Sequence, residues 1–169
     1  MLKLDTKIDH GVDQDQVDYH LTLPFELRQK ARFKTRLDEG GEVGLFLQHG
    51  NVLQHGDLLQ SDNGKIVRIL AAREAVSEVR CSDPLLLAKL CYHLGNRHVA
   101  LQIGKDFVRY QPDHVLDHLV SHFFLSVTAT EASFEPEIGA YHKHSHEPNS
   151  HSHEPENQGL ESHKHGHEH

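Results

Sequence analysis

The chain has little of what marks secreted, membrane or disulfide-stabilised proteins. Its 169 residues include no tryptophan, one methionine and two cysteines. Cys81 and Cys91 are ten positions apart and form no CxxC unit, so we interpret both as buried, inert thiols. No run of about 18 apolar residues could span a bilayer, and the N-terminus MLKLDTKIDH lacks the apolar stretch of a secretory signal. These absences predict a cytoplasmic protein that makes no membrane contact.

Basic residues are also scarce relative to acidic ones. Lys plus Arg number 17 and Asp plus Glu number 25, which gives a formal net charge of −8. Affinity for nucleic acid depends mostly on clustered lysine and arginine. The charge balance therefore argues against a nucleic-acid partner.

What the chain has in excess is histidine, at 18 residues. Half of them lie in the segment 142–169, whose one large apolar side chain is Leu160. A segment of this composition cannot bury enough apolar surface to offset its ordering entropy, so we predict that it is disordered. We call it the His-rich tail. Its histidines are His142, His144, His146, His151, His153, His163, His165, His167 and His169.

Histidines at alternate positions of the His-rich tail indicate metal binding. In an extended, pliable chain this spacing lets neighbouring imidazoles close on one ion. At three or four imidazoles per ion, the tail could hold roughly two or three ions per chain. The ligands are neutral imidazoles, so binding should release protons and fail below about pH 6. The interspersed Glu, Ser, Lys and Asn residues favour a natural segment over a purification tag.

Residues 1–72 read as a small all-β domain. Short apolar stretches separated by turns recur about every ten residues, which is typical of a small all-β module. The stretch contains no cysteine, no Gly-rich phosphate loop and no paired acid and base. We interpret His10, Tyr19 and His20 as part of a mobile polar N-terminal stretch. The predicted strands are ARFKTRL (31–37), EVGLFL (42–47), VLQHGDLL (52–59) and KIVRIL (65–70).

Residues 73–141 change to a mixed pattern. Asp83 or Ser82 can cap a helix that has Pro84 at its first position and ends at Gly95. The resulting order, βαββαβ, is the ferredoxin-like pattern, in which two helices pack on one face of an antiparallel sheet. The overall fold class is thus α+β: a β-rich domain, a ferredoxin-like domain and the tail. The predicted elements are strands at 75–80, 98–103, 107–110 and 125–134 and helices at 84–94 and 112–124.

Side-chain periodicity within this second domain predicts its core. In the strand HVALQI (98–103), Val99, Leu101 and Ile103 should face the core, and His98 should face away with Ala100 and Gln102. The second helix should bury an apolar stripe, comprising Val115, Leu116, Leu119, Val120 and Phe123.

Several of these motifs resemble one protein family. Four motifs before or at the start of the His-rich tail resemble the UreE family of urease accessory proteins: YHLGNRH (92–98), RY-x-x-DHVL (109–116), EVGLFL (42–47) and FEPEIGAYH (134–142). The resemblance covers roughly residues 20 to 142 and the tail. It implies a non-enzymatic, two-domain metallochaperone that supplies nickel for assembly of the urease active site.

The resemblance also implies partners and ligands. It implies a homodimer formed by the second domain, in which His98 of the GNRH motif meets its two-fold mate as the central Ni²⁺ ligand. His114 of the DHVL motif matches a second metal-binding position. The resemblance further implies that Zn²⁺ or Cu²⁺ can substitute for Ni²⁺ in vitro. The implied partners are the urease apoprotein and the other urease accessory proteins, including the accessory GTPase. Two positions depart from the family pattern. Ala100 stands where the family usually has proline, and Pro112 stands where some relatives have histidine.

Four histidines of the second domain have two interpretations each. His114, His118 and His122 recur every four residues, a spacing that lets consecutive helical turns chelate one ion but equally suits a solvated helix face. For His118 and His122 we favour the solvated face. His93, one turn before the end of the first helix, is best explained by packing or by helix capping.

Two other functions compete with nickel delivery. A divalent-metal storage or buffering protein would need only the His-rich tail. A zinc hydrolase built on His114 and His118 would need a general base, and the sequence offers none beside them. Metal transfer remains the interpretation that uses both His98 and the tail.

Overall fold

The first unit of the chain is a six-stranded mixed sheet. A computed structural model describes residues 1–8 and 16–139. The strand order is β2-β6-β5-β1-β4-β3, in which β1 runs parallel to β4 and β2 parallel to β6. The elements are β1 (Leu2–Ile8), β2 (Tyr19–Leu23), α1 (Phe25–Arg28), β3 (Arg32–Arg36), β4 (Glu42–Phe46), β5 (Leu58–Ser61) and β6 (Ile66–Ala71).

Two strands of this sheet were not predicted. In β1, lysine and aspartate alternate with apolar residues, and Leu4 is fully buried between β5 and β4. Tyr19 and His20, predicted to be mobile, belong to β2, which pairs with β6. Both strands alternate strongly in polarity because only one face packs on the core. His10 lies outside the described residues.

One predicted strand was largely wrong. Of the stretch 52–59, only Leu58 and Leu59 are in a strand, β5. The preceding residues form a turn in which the Gln54 N–H donates to the Asp57 carboxylate at 2.8 Å. Gly56, with a φ of 87°, lies in this turn, where a left-handed backbone interrupts any regular strand.

The second unit has the predicted order of elements and a four-stranded antiparallel sheet. The strand order is β10-β7-β9-β8. One core cluster contains Val79 and Val108 of the sheet together with Leu90 and Val120 of the two helices, so both helices pack on one sheet face. The elements are β7 (Arg73–Arg80), α2 (Pro84–Gly95), β8 (Gln102–Ile103), β9 (Phe107–Tyr110), α3 (His114–Ser121) and β10 (Val127–Ser133).

The start of α2 follows the predicted capping pattern. Asp83 is the N-cap, and its carboxylate accepts hydrogen bonds from the N–H groups of Leu85 at 2.9 Å and Leu86 at 3.2 Å. Pro84 occupies the first position, where its missing N–H costs no hydrogen bond. The helix then buries Leu87, Leu90 and Leu94 on one stripe.

The predicted core of the second unit needs correction at three points. The strand at 98–103 is reduced to Gln102–Ile103, and Ile103 is 42% exposed. The second helix is shorter than predicted because Asp113 caps it and the chain leaves it at His122. Val115 is 54% exposed, since α3 turns it away from the sheet that buries Leu116 and Val120.

The two units meet at a small apolar cluster. Phe25 of α1 packs edge-on against Phe134 at 5.3 Å between ring centroids, and Val76 of β7 completes the cluster. Beside it lies Arg28, with 1% of its surface exposed, whose guanidinium donates to backbone oxygens of both units. No helix in the described parts of the chain is long and apolar enough to cross a membrane.

A buried ion pair ties β7 to β9 on the sheet face opposite the helices. Glu78 and Arg109 are cross-strand partners, and Arg109 Nε donates to Glu78 Oε2 at 2.6 Å. Arg80 Nε contacts the other carboxylate oxygen at 2.8 Å. Burial alone would raise the pKa of Glu78, but the hydrogen bond from Arg109 and the charges of both arginines outweigh it and hold the pKa below its usual value.

We expect Glu78→Gln to lower the free energy of unfolding by about 2 kcal/mol at pH 7, because it leaves Arg109 with a poorly compensated charge. A depressed carboxyl pKa stabilises the folded state above the unfolded value of about 4.3, and this contribution disappears as pH falls through the folded pKa. Urea unfolding at pH 7 and at pH 3 should show the difference between wild type and variant shrinking. Exposed Glu26→Gln is the matched control. An equal difference at both pH values would contradict the assigned role of Glu78.

Candidate metal site

His98 lies in a turn after α2, not on a strand as predicted. Its backbone has a φ of 56°, in the left-handed region that histidine enters more readily than most residues. The His98 N–H donates to Gly95 O at 2.9 Å, and the Arg97 N–H donates to Leu94 O at 3.0 Å. These bonds use the last carbonyls of the helix and fix the turn. His98 is exposed at the end of a rigid element.

The ring of His98 makes no competing contact in the described part of the chain. Within residues 1–8 and 16–139 it takes part in no hydrogen bond, ion pair or ring stacking. Its neighbours Val99 and Ala100 are half-buried, so the chain on its C-terminal side is packed. An exposed imidazole on an anchored backbone can bind an ion with little reorganisation.

A cavity beside His98 lies between the two units. Phe25, Gln29 and Val52 of the first unit line one side, and His98 is on the wall formed by the second unit. The segment that follows β10, residues 134–139, also lines the cavity, through Pro136, Ile138 and Gly139 among others. We call this segment the strap.

The strap is held by hydrogen bonds to both units. The Glu137 N–H donates to Leu101 O at 2.8 Å, and the Glu135 N–H donates to Gln102 Oε1 at 3.4 Å. On the first unit, the His55 N–H donates to Glu135 Oε2 at 3.0 Å. Gly139, the last described residue, lines the same cavity as His98.

His114 is the first residue of α3 and is exposed. The preceding Asp113 is the N-cap and accepts hydrogen bonds from the N–H groups of Val115 at 2.7 Å and Leu116 at 3.1 Å. Both bonds end on Asp113 Oδ1, and among the described residues no group of three potential ligands forms around His114. The structure thus leaves His114 as a single exposed imidazole.

The other histidines of this unit lie further along both helices. The ring of His93 is within 5.3 Å of Tyr92 and, at the same centroid distance, of Phe123 on the α3 side. This agrees with packing as its role. His118 and His122 are exposed, and their ring centroids are 4.9 Å apart.

The two cysteines, Cys81 and Cys91, are free thiols. Cys81 is buried, and its thiol donates to Asp83 O at 3.3 Å. Cys91 is half-buried, and burial raises the pKa of its thiol, which disfavours the thiolate that a metal requires. The geometry supports their interpretation as inert thiols.

The described residues of one chain do not assemble a complete metal site. Within residues 1–8 and 16–139, no group of three or more His, Cys, Asp or Glu side chains could hold a metal ion. The nine histidines of the His-rich tail lie outside the described residues. Any tight site that includes His98 must therefore draw ligands from the tail, from a second chain or from solvent.

Sequence reasoning missed the residues that position the strap. Arg28 donates to the carbonyl of Phe134, which is 106 positions away, and Glu135 spans both units. One available signal was the apolar context of Arg28 in LPFELR, since a lone cation in such a stretch needs buried acceptors.

Comparison with known proteins places this architecture in a family. Residues 4–72 match the family model described as the UreE urease accessory protein, N-terminal domain, and residues 74–169 match the C-terminal domain of the same protein. The chain belongs to the UreE family. The two matches divide the UreE-family chain into two domains between β6 and β7, where the two sheets also separate.

Individual UreE relatives extend this match. The chain is 51% identical to the urease accessory protein UreE of Alkalilimnicola ehrlichii over 141 residues, covering 83% of this chain and 85% of the relative. It is 50% identical to that of Citrobacter koseri over 150 residues, covering 88% and 89%. It is 53% identical to that of Tolumonas auensis over 122 residues, covering 72% and 65%.

Proposed function

We propose that the chain is a cytoplasmic nickel metallochaperone that acts in urease maturation as a homodimer. Membership of the UreE family of urease accessory proteins supports an accessory role, not a catalytic one. In this proposal Ni²⁺ is the cargo, and the urease apoprotein, the accessory GTPase and other accessory proteins receive it. We further assign the second unit to the ferredoxin-like class, which its order β10-β7-β9-β8 supports.

The observation that carries the proposal is the position of His98. Its imidazole is exposed on a hydrogen-bonded turn, beside a cavity to which the strap returns. The chain that leads to the His-rich tail thus starts from the surroundings of His98. In the proposal, His98 is the one fixed ligand and the tail histidines supply further, tethered ligands.

A single imidazole binds a divalent ion weakly, so His98 needs partners. In a two-fold dimer, any residue near the axis is doubled, and two His98 rings would provide two ligands for one ion. Water or tail imidazoles would complete the coordination. Such a site contains only nitrogen and oxygen ligands.

Ligand chemistry favours transfer over storage at this site. Imidazole binds Ni²⁺, Cu²⁺ and Zn²⁺, and affinities follow the Irving–Williams order, so histidine alone does not select nickel. Neutral imidazole and water exchange readily, whereas a cage of thiolates would retain the ion. Selectivity would then come from metal supply and from the partner that accepts the ion.

The His-rich tail would capture nickel from dilute solution. The predicted coil of 28 residues has a root-mean-square reach of about 30 Å, which suffices to pass an ion from the tail to His98. The last strap residue, Gly139, lines the same cavity as His98. The first tail histidines, His142 and His144, follow Gly139 within a few positions of the sequence. In this proposal the tail sets how many ions are captured, and His98 sets where one ion is held for transfer.

A storage or buffering protein is the alternative that the tail itself favours, because nine histidines in 28 residues would suffice for it. The two functions differ in what truncation removes. A buffer without its tail loses its activity, whereas a metallochaperone keeps part of it through His98.

Truncation after Tyr141 should lower nickel capacity from several ions per dimer to about one, because only the axial site remains. Urease activation in cells should fall only partly. Isothermal titration calorimetry measures the capacity, and a urease assay at limiting nickel measures the activation. If the truncated chain bound no nickel, the tail would be the whole metal site and His98 would have no role in binding.

A further inference from the structure

His118 and His122 form an exposed pair on the last turn of α3. They are four residues apart, so their side chains leave the same face of the helix on consecutive turns. Their ring centroids are 4.9 Å apart, with an angle of 76° between the ring planes. Both side chains are exposed, so an ion from solvent can reach them without opening the fold.

The ring separation matches the separation that one bound ion requires. A metal–nitrogen bond of about 2.0–2.1 Å places an imidazole centroid about 3.2 Å from the ion. Two such rings at an angle between octahedral and tetrahedral have centroids about 4.5–5.2 Å apart. The observed 4.9 Å falls inside this interval, so the ring spacing is compatible with both imidazoles binding one ion.

The surroundings of the pair also favour a cation. The pair lies at the C-terminal end of α3, where the helix dipole presents partial negative charge. Ser121 Oγ donates to His118 O at 2.6 Å, so this hydroxyl is engaged with the backbone. The carboxylate of Asp117 accepts a hydrogen bond from Tyr110 Oη at 2.8 Å and is turned toward the core.

We propose that His118 and His122 chelate one divalent transition-metal ion, such as Zn²⁺ or Ni²⁺, at a site separate from His98. The described residues offer no third ligand, so water completes the coordination and the site exchanges rapidly. The proposal goes beyond the proposed function, because it needs neither a dimer nor urease. It also revises the solvated-face interpretation of these residues made from the sequence.

The test follows individual histidine rings of the full-length chain by NMR with ¹³C-labelled histidine. Free Zn²⁺ is fixed by a metal buffer, so that uptake by the His-rich tail does not change the concentration at the helix. The His118 and His122 signals should shift together at one midpoint. His49, an exposed histidine of the first unit, provides the response of a single imidazole.

Three variants make the result decisive. His122→Ala should move the His118 midpoint to about a hundredfold higher free Zn²⁺, because the second ligand of a chelate acts at a high effective concentration. His118→Ala should do the same to His122. His49→Ala, which removes one histidine elsewhere, should leave both midpoints unchanged. Alanine is a good helix former, so α3 stays folded in the variants.

Two outcomes would overturn the proposal. If His118 and His122 titrate at different midpoints in the wild type, they do not share an ion. If their common midpoint equals that of His49, or does not move when the partner is removed, the ring pair is only a solvated edge-to-face contact.

Discussion

Arg28→Met should lower the free energy of unfolding by about 3 kcal/mol. The Arg28 guanidinium donates to Leu23 O at 3.3 Å, to Leu53 O at 3.1 Å and to Phe134 O. Methionine fills a similar volume but leaves three buried carbonyls without this donor, at about 1–3 kcal/mol each. Part of that loss is offset, because the variant no longer has the cost of burying a charged guanidinium. This burial is also what lowers the pKa of Arg28.

Urea unfolding measures this loss, and the exposed Arg32→Met of β3 is the matched control. Because Arg28 binds the first residue of the strap, the variant should also loosen the strap. Amide hydrogen exchange at Glu137, whose N–H donates to Leu101 O, should become faster. A loss below about 1 kcal/mol with unchanged exchange at Glu137 would show that Arg28 does not hold the two units together.

Removal of the His98 imidazole should abolish most urease activation while leaving the fold intact. The exposed turn suggests a small structural effect, but the φ of 56° matters. Alanine in this conformation costs about 1 kcal/mol, whereas asparagine tolerates it. We therefore expect His98→Ala to be slightly less stable than wild type and His98→Asn to be nearly equal to it.

Both His98 variants should fail in activation to the same extent, because each dimer loses two ligands at once. Total nickel capacity should fall little, since the nine tail histidines remain. Thermal melts and a urease assay in cells grown with limiting nickel provide the comparison. His49→Ala controls for the loss of one exposed histidine. Normal activation by folded His98→Asn would move the functional site elsewhere.

Local signals predicted the parts of the fold that local interactions determine. Asp83 and Pro84 mark the start of α2 because capping depends on residues within one turn. The strand at 75–80 and the helix at 84–94 were also predicted, and they correspond to β7 and α2. The βαββαβ order of the second unit followed from these elements.

Tertiary context decided the parts that the sequence misled us about. The stretch 98–103 alternates in polarity, yet His98 completes the end of α2 and only Gln102–Ile103 joins the sheet. Val99 and Leu101 pack on the same core cluster from a segment that is not a continuous strand. The alternation in polarity indicates which side chains are buried, but it does not indicate whether the backbone there is a strand or a turn.

The candidate site also has parts that the sequence predicted and parts that it did not. The motif around His98 predicted a candidate ligand, because histidine carries its chemistry in one residue. The i, i+4 spacing of His118 and His122 was also readable, whereas the strap and the Arg28 contact depend on residues brought together by folding. No periodicity within a single segment encodes these contacts.

Equilibrium dialysis against nickel-buffered solutions tests the central claim most directly. The full-length wild-type chain and His98→Asn are compared for the tightest class of bound nickel. We predict about one tightly bound Ni²⁺ per two chains in the wild type, no such class in His98→Asn, and an unchanged weaker class from the His-rich tail. A tight class of the same size and affinity in His98→Asn would contradict the assignment of His98 as the centre of nickel transfer.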